Sequence, residues 1–222
     1  MSPLVALALL VLASPVRAAD PCAELPKPSV TVKLLETPLA LNTTYSYRSL
    51  TNLGSALARP GRQVLGLTRG NATARFTSNT PSIVDDSKRW ECASPQIALT
   101  YGFSPMTVYV AREFPPGSCA HKEIHEHEMR HVDAYRKHQA DIEKILADTL
   151  NARFATGGPW RGPVGQSTGR LQDELNERWL PYVQRELRKV DAAQALIDTD
   201  EEYARVANAC DGEIAKRLQR GK

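Results

Sequence analysis

The sequence has little that would direct it to nucleic acid or hold it permanently in a membrane. Its 28 Lys and Arg nearly balance 25 Asp and Glu, so the formal net charge is only +3, whereas nucleic-acid-binding domains are usually strongly basic on one face. The apolar run from Leu4 to Ala13 is shorter than the about 20 residues that a stable membrane span needs. No Cys-x-x-Cys pair suggests a zinc ribbon, and no repeats occur. We therefore expect neither a nucleic-acid partner nor stable membrane insertion.

The N-terminal apolar run is instead typical of a signal peptide. Pro15 follows the run, and Val16-Arg17-Ala18 is a small-x-small pattern of the kind that export peptidases cleave. We expect residues 1–18 to be removed and residues 19–222 to act as one domain, either in the periplasm or secreted. A chain of this length with 42% hydrophobic residues can bury a sizeable core as a single domain.

The four cysteines all lie beyond the expected cleavage site. An even number of cysteines in an exported protein favours disulfides over free thiols or metal ligation. Four cysteines permit three pairings. We predict that Cys92 pairs with Cys119, because Cys119 begins a helix directly after the strand that follows Cys92, and that Cys22 pairs with Cys210.

The two halves of the chain differ in hydrophobic periodicity. Over residues 28–114 apolar side chains alternate as in strands, clearly at 30–34, 45–47, 97–103 and 106–110, and less clearly at 64–67 and 72–77. After Pro115-Pro116-Gly117, the candidate N-cap Ser118 introduces a stretch without Gly or Pro until Gly157. This stretch predicts one long helix over residues 118–155. Helices within 168–220 are expected to follow, in two patterns over residues 171–197 and 200–218.

The expected fold class is α+β, with a small antiparallel or mixed sheet packed on the long helix and C-terminal helices closing the site from the far side. The predicted apolar stripe of the long helix contains three histidines, His127, His131 and His138. The other members of that stripe are Ala120, Ile124, Tyr135, Ile142, Ile145 and Thr149. Three histidines therefore occupy positions where core residues are expected.

The strongest motif is His127-Glu128-Met129-Arg130-His131, a His-Glu-x-x-His sequence inside the predicted helix. Histidines four residues apart lie one turn apart on the same face, so both imidazoles can bind one zinc ion. Glu128 would then stand beside the open position and act as general base. The alternative is two core histidines satisfied by hydrogen bonds, with Glu128 solvated. The metal interpretation is favoured because the motif falls on the core face of a strong helix.

Two further motifs have structural explanations. His138 lies about 10 Å beyond His131 on a continuous helix, so it is either a residue of the cleft or an ordinary packed histidine. Residues 165–169 match the Gly-x-Ser-x-Gly pattern of serine hydrolases. That pattern requires a buried strand before it, whereas the preceding Gly- and Pro-rich segment cannot form a central strand. Ser167 is therefore better explained as a turn or helix-cap residue.

The order of these elements resembles a bacterial family of predicted secreted zinc-dependent proteases. The resemblance covers roughly residues 45–202, and it depends on the strand pairs, the cysteine at Cys92, and Ile124 followed by the His-Glu-x-x-His motif on an unbroken helix. It implies a zinc peptidase. That family has a Thr-x-His-Gly element near its end, where this chain has Asp198-Thr199-Asp200-Glu201-Glu202-Tyr203.

No histidine follows His138, so the third zinc ligand is expected to be a carboxylate from a later helix unless an upstream residue folds back. The resemblance favours Glu202, which aligns best with the Thr-x-His element. Glu202 also belongs to a capping box that starts at Thr199, in which it would bond back to the Thr199 amide. Glu174, Glu177 and Glu201 remain alternatives.

The predicted function is that of an exported zinc-dependent metallohydrolase, a peptidase whose partner is a peptide or protein substrate. Zn²⁺ would be bound by His127, His131 and Glu202, with Glu128 as general base. A substrate peptide would add as a strand to a sheet edge beside the long helix. The alternative is an envelope binding or scaffold protein in which the zinc is structural or the site has lost catalysis. An open coordination position separates the two functions, because structural zinc sites have four protein ligands.

Overall fold

A computed structural model describes residues 20–36, 38–54 and 63–220, so the expected signal peptide at 1–18 lies outside the described residues. The protein is α+β, as predicted. The strands are β1 (Ser29–Leu34), β2 (Leu39–Asn42), β3 (Gly66–Asn79), β4 (Ser82–Val84), β5 (Trp90–Ala93), β6 (Gln96–Val110) and β7 (Trp160–Pro163). The helices are α1 (Tyr47–Leu53), α2 (Cys119–Phe154), α3 (Ser167–Glu174), α4 (Leu180–Arg188), α5 (Val190–Ala195) and α6 (Asp200–Arg220).

The main sheet is mixed and is organised around β6. Strands β1 and β2 pair with β6 in parallel, one after the other along the same side, and β3 pairs with its other side in antiparallel register. Among the described residues β3 has no second strand partner, so it is an edge strand. The alternations predicted at 97–103 and 106–110 belong to the single strand β6, and those at 64–67 and 72–77 fall within or just before β3.

The prediction of a strand at Tyr45 and Tyr47 was wrong, because Tyr47 begins α1. Ser46 is the N-cap of this helix, and its hydroxyl accepts a hydrogen bond from the backbone N–H of Ser49 at 3.1 Å. A serine cap stabilises a helix start, whereas two alternating tyrosines give only a weak preference for a strand.

A second, three-stranded antiparallel sheet in the order β4-β5-β7 was not predicted. Its short strands bring together residues 82–84, 90–93 and 160–163. The first two segments precede α2 in the chain, and the third follows it. The four-residue strand β7 lies at the edge of this sheet.

The long helix α2 begins where the sequence predicts. The Ser118 hydroxyl accepts a hydrogen bond from the N–H of His121 at 3.1 Å, and the helix continues for 36 residues. Its buried face is Ala120, Ile124, Glu128, His131, Val132, Ile142, Leu146, Leu150 and Phe154. The predicted stripe was therefore wrong in its C-terminal part, where Ile145 is 49% exposed. The buried positions there advance by four residues, which places Phe154 against Trp179, with ring centroids 5.6 Å apart.

The C-terminal region is more divided than the two helical stretches that the sequence predicts. Residues Leu175–Trp179 form a π-helical segment between α3 and α4. Pro181 lies in the first turn of α4, directly after this π-helical segment. Residues Ala209, Cys210, Asp211 and Gly212 have non-helical backbone angles, so α6 is kinked at this point. Within the described residues, no helix has the length and apolar character needed to cross a membrane.

The predicted disulfide pairing was wrong: Cys22 pairs with Cys92, and Cys119 pairs with Cys210. Cys92 lies in β5, against which the short 3₁₀ helix Pro21–Glu24 packs, so Cys22 is its neighbour. Cys119 opens α2 and contacts the kink of α6. Two disulfides are nevertheless present, as the even cysteine count predicts.

Candidate metal centre

Helix α2 presents His127 and His131 side by side on the face that meets α5 and α6. The two rings lie with centroids 5.0 Å apart, and their Nε2 atoms are 3.2 Å apart. Only 11% of the His127 side chain and 10% of the His131 side chain are exposed. The four-residue spacing therefore brings the two imidazoles together as predicted.

Asp198, in the turn between α5 and α6, completes a triangle with these two nitrogens. Its Oδ1 lies 3.1 Å from Nε2 of His127 and 3.3 Å from Nε2 of His131. In a tetrahedral site with metal–ligand bonds of about 2.0–2.1 Å, ligand atoms lie about 3.3–3.4 Å apart. The three atoms are thus geometrically able to bind one metal ion.

The charge of Asp198 suits a ligand. Burial alone would raise the pKa of its carboxyl, but the hydrogen-bonding contacts with His127 and then His131 outweigh burial and hold the pKa below its ordinary value. Asp198 is therefore an anion over the whole neutral range, which is the form that binds a cation.

Each imidazole has an acceptor on the edge of the ring that faces away from the triangle. Oε1 of Gln194 lies 2.5 Å from Nδ1 of His131, and the Gln194 amide donates to the backbone oxygen of His131 at 3.1 Å. Oε1 of Glu202 lies 3.2 Å from Nδ1 of His127. The acceptor at Nδ1 of His131 favours the tautomer with a proton there, which leaves the Nε2 lone pair of that ring for a metal. At Nδ1 of His127 a donor, Nη2 of Arg130, also lies at 3.0 Å.

Glu202, the predicted third ligand, therefore lies on the opposite edge of the His127 ring from Asp198. Its carboxylate is held by Arg130 and by Arg205, which donates at 2.9 and 3.0 Å. The bonds from Arg205 and then from Arg130 lower the pKa of Glu202 to about 2. In this arrangement Glu202 lies against Nδ1 of His127, and the carboxylate that meets both Nε2 atoms is that of Asp198.

The capping box is half formed. The backbone N–H of Glu202 donates to Oγ1 of Thr199 at 3.1 Å, so Thr199 caps α6. The reciprocal bond is not made, because the N–H of Thr199 donates to the backbone oxygen of Ile197 at 3.0 Å. This leaves the Glu202 side chain available to His127 and the two arginines.

Glu128 lines the same cavity as His127, His131 and Asp198 and is only 4% exposed. Its Oε2 lies 2.8 Å from the hydroxyl of Thr68 in β3. Burial raises the pKa of the Glu128 carboxyl above its ordinary value, although His131, His127 and Thr68 act in the opposite direction. A raised pKa makes this carboxylate a stronger base, the property that a general base near neutral pH needs.

Strand β3 approaches Glu128 closely at Gly66. A Cβ atom at this position would lie 2.5 Å from Oε1 of Glu128 and 2.7 Å from Cγ2 of Ile124. Only a residue without a side chain allows the strand to pass so near the helix. Gly66 and Thr68 together determine where the Glu128 carboxyl lies.

The other candidate ligands lie elsewhere. Glu174 accepts a bidentate pair of hydrogen bonds from Arg153 at 2.7 and 2.6 Å, near the C-terminal end of α2. Glu177 and Glu201 are exposed, and neither belongs to a group of converging ligands among the described residues. The described residues contain one other group of potential metal ligands, Asp20 with Cys22 and Cys92. Both of its sulfur atoms are joined in a disulfide.

The contacts of His138 and Ser167 are those of structural residues. Nε2 of His138 lies 2.8 Å from the backbone oxygen of Glu186, and its ring packs near Phe103, so His138 is a packed histidine. Ser167 is the first residue of α3, and its N–H donates to Oε1 of Glu91 at 2.9 Å. The strand before it, β7, is an edge strand, so the strand-turn-helix arrangement of serine hydrolases is not formed.

Comparison of the chain with models of known protein families, with curated proteins and with solved structures finds no match in any of the three.

Proposed function

We propose that the protein is an exported zinc-dependent hydrolase that cleaves peptide bonds, with His127, His131 and Asp198 as zinc ligands and Glu128 as general base. The observation that supports it best is the triangle of two Nε2 atoms and one carboxylate oxygen with edges of 3.1, 3.2 and 3.3 Å. The triangle opens into a cavity that Glu128 also lines.

The donor set favours zinc over other metals. Two imidazoles and one carboxylate are typical of catalytic zinc sites, whereas Mg²⁺ and Ca²⁺ prefer oxygen ligands throughout. Three protein ligands leave a fourth coordination position for water or substrate. This position would face the cavity. A zinc ion bound there would lower the pKa of that water and polarise a substrate carbonyl.

The chain's own residues supply the proton transfers. Glu128 has a raised pKa, so its carboxylate can accept a proton from the attacking water and then donate it to the leaving amine. Thr68 holds Oε2 of Glu128. Gln194 and Glu202 hold the two imidazoles through Nδ1, so the rings keep their orientation during the reaction.

An extended peptide would reach this position along β3. The first residues of this edge strand, from Gly66 to Thr68, line the cavity beside Glu128. A peptide that pairs with the edge of a sheet is held mainly by backbone hydrogen bonds. This arrangement would place a backbone carbonyl near the metal ligands.

A binding or scaffold protein with a structural zinc site fits less well. A structural site needs a fourth protein ligand, whereas the Glu202 carboxylate contacts the opposite edge of the His127 ring and the Glu128 carboxyl is held by Thr68. The two disulfides are consistent with an oxidising compartment, which supports export.

The test combines metal analysis with a peptide-library cleavage assay, performed with and without a chelator. We expect one zinc ion per chain and cleavage that the chelator abolishes. Glu128→Gln should lower kcat by about 10²–10⁴-fold with zinc content unchanged. The matched control is Glu126→Gln on the same helix, whose side chain is 57% exposed. Full activity in Glu128→Gln, or cleavage that needs no metal, would contradict the proposal.

A further inference from the structure

The cavity beside the metal ligands has a volume of about 410 Å³ and two chemically different ends. The polar end contains the three proposed ligands and Glu128. The other end is lined by Val64, Leu67, Ile124, Val206, Ala207 and Ile214. A volume in the range of about 300–1,000 Å³ is typical of small-molecule sites, so the cavity has space for a side chain beyond the reacting centre.

The apolar end is formed mainly by the two halves of α6. Val206 and Ala207 precede the kink at residues 209–212 and Ile214 follows it, yet all three side chains line the same cavity. Cys210 within the kink is bonded to Cys119 at the start of α2. The wall is therefore attached covalently to the helix that bears the histidines.

The opposite side of the apolar end is formed by α2 and by residues at and just before the start of β3. Ile124, on α2, is 2% exposed and lies one turn before Glu128. Val64 lies just before β3 and Leu67 is its second residue, next to Gly66, where the strand approaches Glu128. An apolar pocket formed in advance binds apolar groups with little cost in ordering. None of these residues is charged; the acidic residues of the described lining are Glu128, Asp191, Asp198 and Glu202.

We infer that the apolar end is a specificity subsite for a large aliphatic or aromatic side chain, next to the carbonyl that the metal centre acts on. The inference rests on the proposed function, since it is the metal that places this carbonyl. It assigns the substrate class: peptides with a residue such as Leu or Phe beside the cleaved bond. Acidic side chains are disfavoured, because the neighbouring carboxylates repel them and the apolar wall cannot solvate them.

The test measures binding and does not depend on turnover. The probes are N-acetyl amino-acid hydroxamates with Gly, Leu, Phe or Asp side chains, in which the metal-binding group is constant and only the side chain varies. Their Kd values for the zinc-loaded protein are measured by isothermal titration calorimetry. We expect the Leu and Phe probes to bind at least about tenfold more tightly than the Gly probe, and the Asp probe to bind no better than Gly.

A pair of variants on α6 locates the effect. Ala207→Phe fills the apolar end and should remove the preference, so that the Leu and Phe probes bind no more tightly than the Gly probe. Ala204→Phe is the matched control, because Ala204 is exposed on the same helix and does not line the cavity; it should keep the preference.

The outcomes separate this inference from the proposed function. If the Gly probe binds and the Leu and Phe probes bind no more tightly, or if Ala207→Phe keeps the preference, the subsite is disproved while the metal centre stands. If no probe binds to protein incubated with zinc, the metal centre itself is disproved, and the subsite with it.

Discussion

The hydroxyl of Thr68 lies 2.8 Å from Oε2 of Glu128 and 3.0 Å from the backbone carbonyl oxygen of the same residue. Its single proton is thus directed at two acceptors of one residue, and Thr68 is itself 7% exposed. This contact joins the edge strand β3 to the proposed general base. It fixes one carboxylate oxygen, while the other, Oε1, lies against Gly66.

Replacing Thr68 by Val should reduce activity without removing the metal. Val has nearly the same shape but no hydroxyl, so Glu128 loses a hydrogen bond inside a buried site, worth about 1.5–3 kcal/mol for a charged acceptor. We expect kcat/KM to fall about tenfold to 100-fold, with zinc affinity unchanged. Thr68→Ser retains the hydroxyl and should retain most of the activity. Parental activity in Thr68→Val would show that Glu128 is positioned by other contacts.

The zinc affinities of two variants should distinguish the roles of Asp198 and Glu202. Asp198→Ala removes a proposed ligand and should weaken zinc binding by more than about 100-fold, whereas Glu202→Ala removes a group that orients His127 and should cost about tenfold to 100-fold. Glu201→Ala is the control, since this neighbour is exposed. The affinities are measured by competition with a chromophoric chelator. A larger loss in Glu202→Ala than in Asp198→Ala would restore Glu202 as the third ligand.

The parts of the site that were predictable are those determined by local spacing. His127 and His131 lie one turn apart on any α-helix, and the absence of Gly and Pro between Ser118 and Gly157 was sufficient to predict that helix. Both facts can be obtained from neighbouring residues alone, because the helix is regular over 36 residues.

Asp198 was not predictable in the same way, because it is separated from His127 by 71 residues. Its position depends on the turn before α6, which the sequence pattern places between Ile197 and Asp200, and on the break between α4 and α5, which the pattern did not reveal. The only local signal was Thr199, which caps the start of α6. It indicates that Asp198, the residue before it, lies in the turn that precedes this helix. The predicted disulfide pairing was wrong for the same reason. Cys22 and Cys92 meet at a second sheet that the alternating pattern did not predict.

Gly66→Ala should destabilise the protein and displace the general base. The added Cβ would lie 2.5 Å from Oε1 of Glu128 and 2.7 Å from Cγ2 of Ile124, and Ile124 is too buried to move freely. Overpacking of this kind costs about 1–3 kcal/mol. The control is Gly169→Ala in α3, where a Cβ meets nothing within 4 Å and should add up to about 1 kcal/mol of helix stability. Urea unfolding and peptide cleavage are measured on both; parental values for Gly66→Ala would contradict the close approach.

Glu91 is a buried carboxylate that joins the second sheet to the start of α3. It is 5% exposed, and its Oε1 accepts the backbone N–H of Ser167 at 2.9 Å. Burial alone would raise the pKa of Glu91, but hydrogen bonds from the backbone N–H groups of Gly165, Ser167 and Gln166 outweigh it and lower the pKa below 4.5. The ionised form therefore favours the folded state.

Because the folded pKa of Glu91 lies below the unfolded one, its stabilising contribution is complete above about pH 4.5 and is lost as the pH falls through the folded pKa. Glu91→Gln keeps the shape but not the charge, so its free energy of unfolding at pH 7 should be lower than that of the parent by about 1–3 kcal/mol. The difference between the two proteins should shrink below about pH 4.5, where the parent carboxyl becomes protonated. Urea unfolding at several pH values measures this difference; one that stays constant or grows as the pH falls would mean that the Glu91 charge does not stabilise the start of α3.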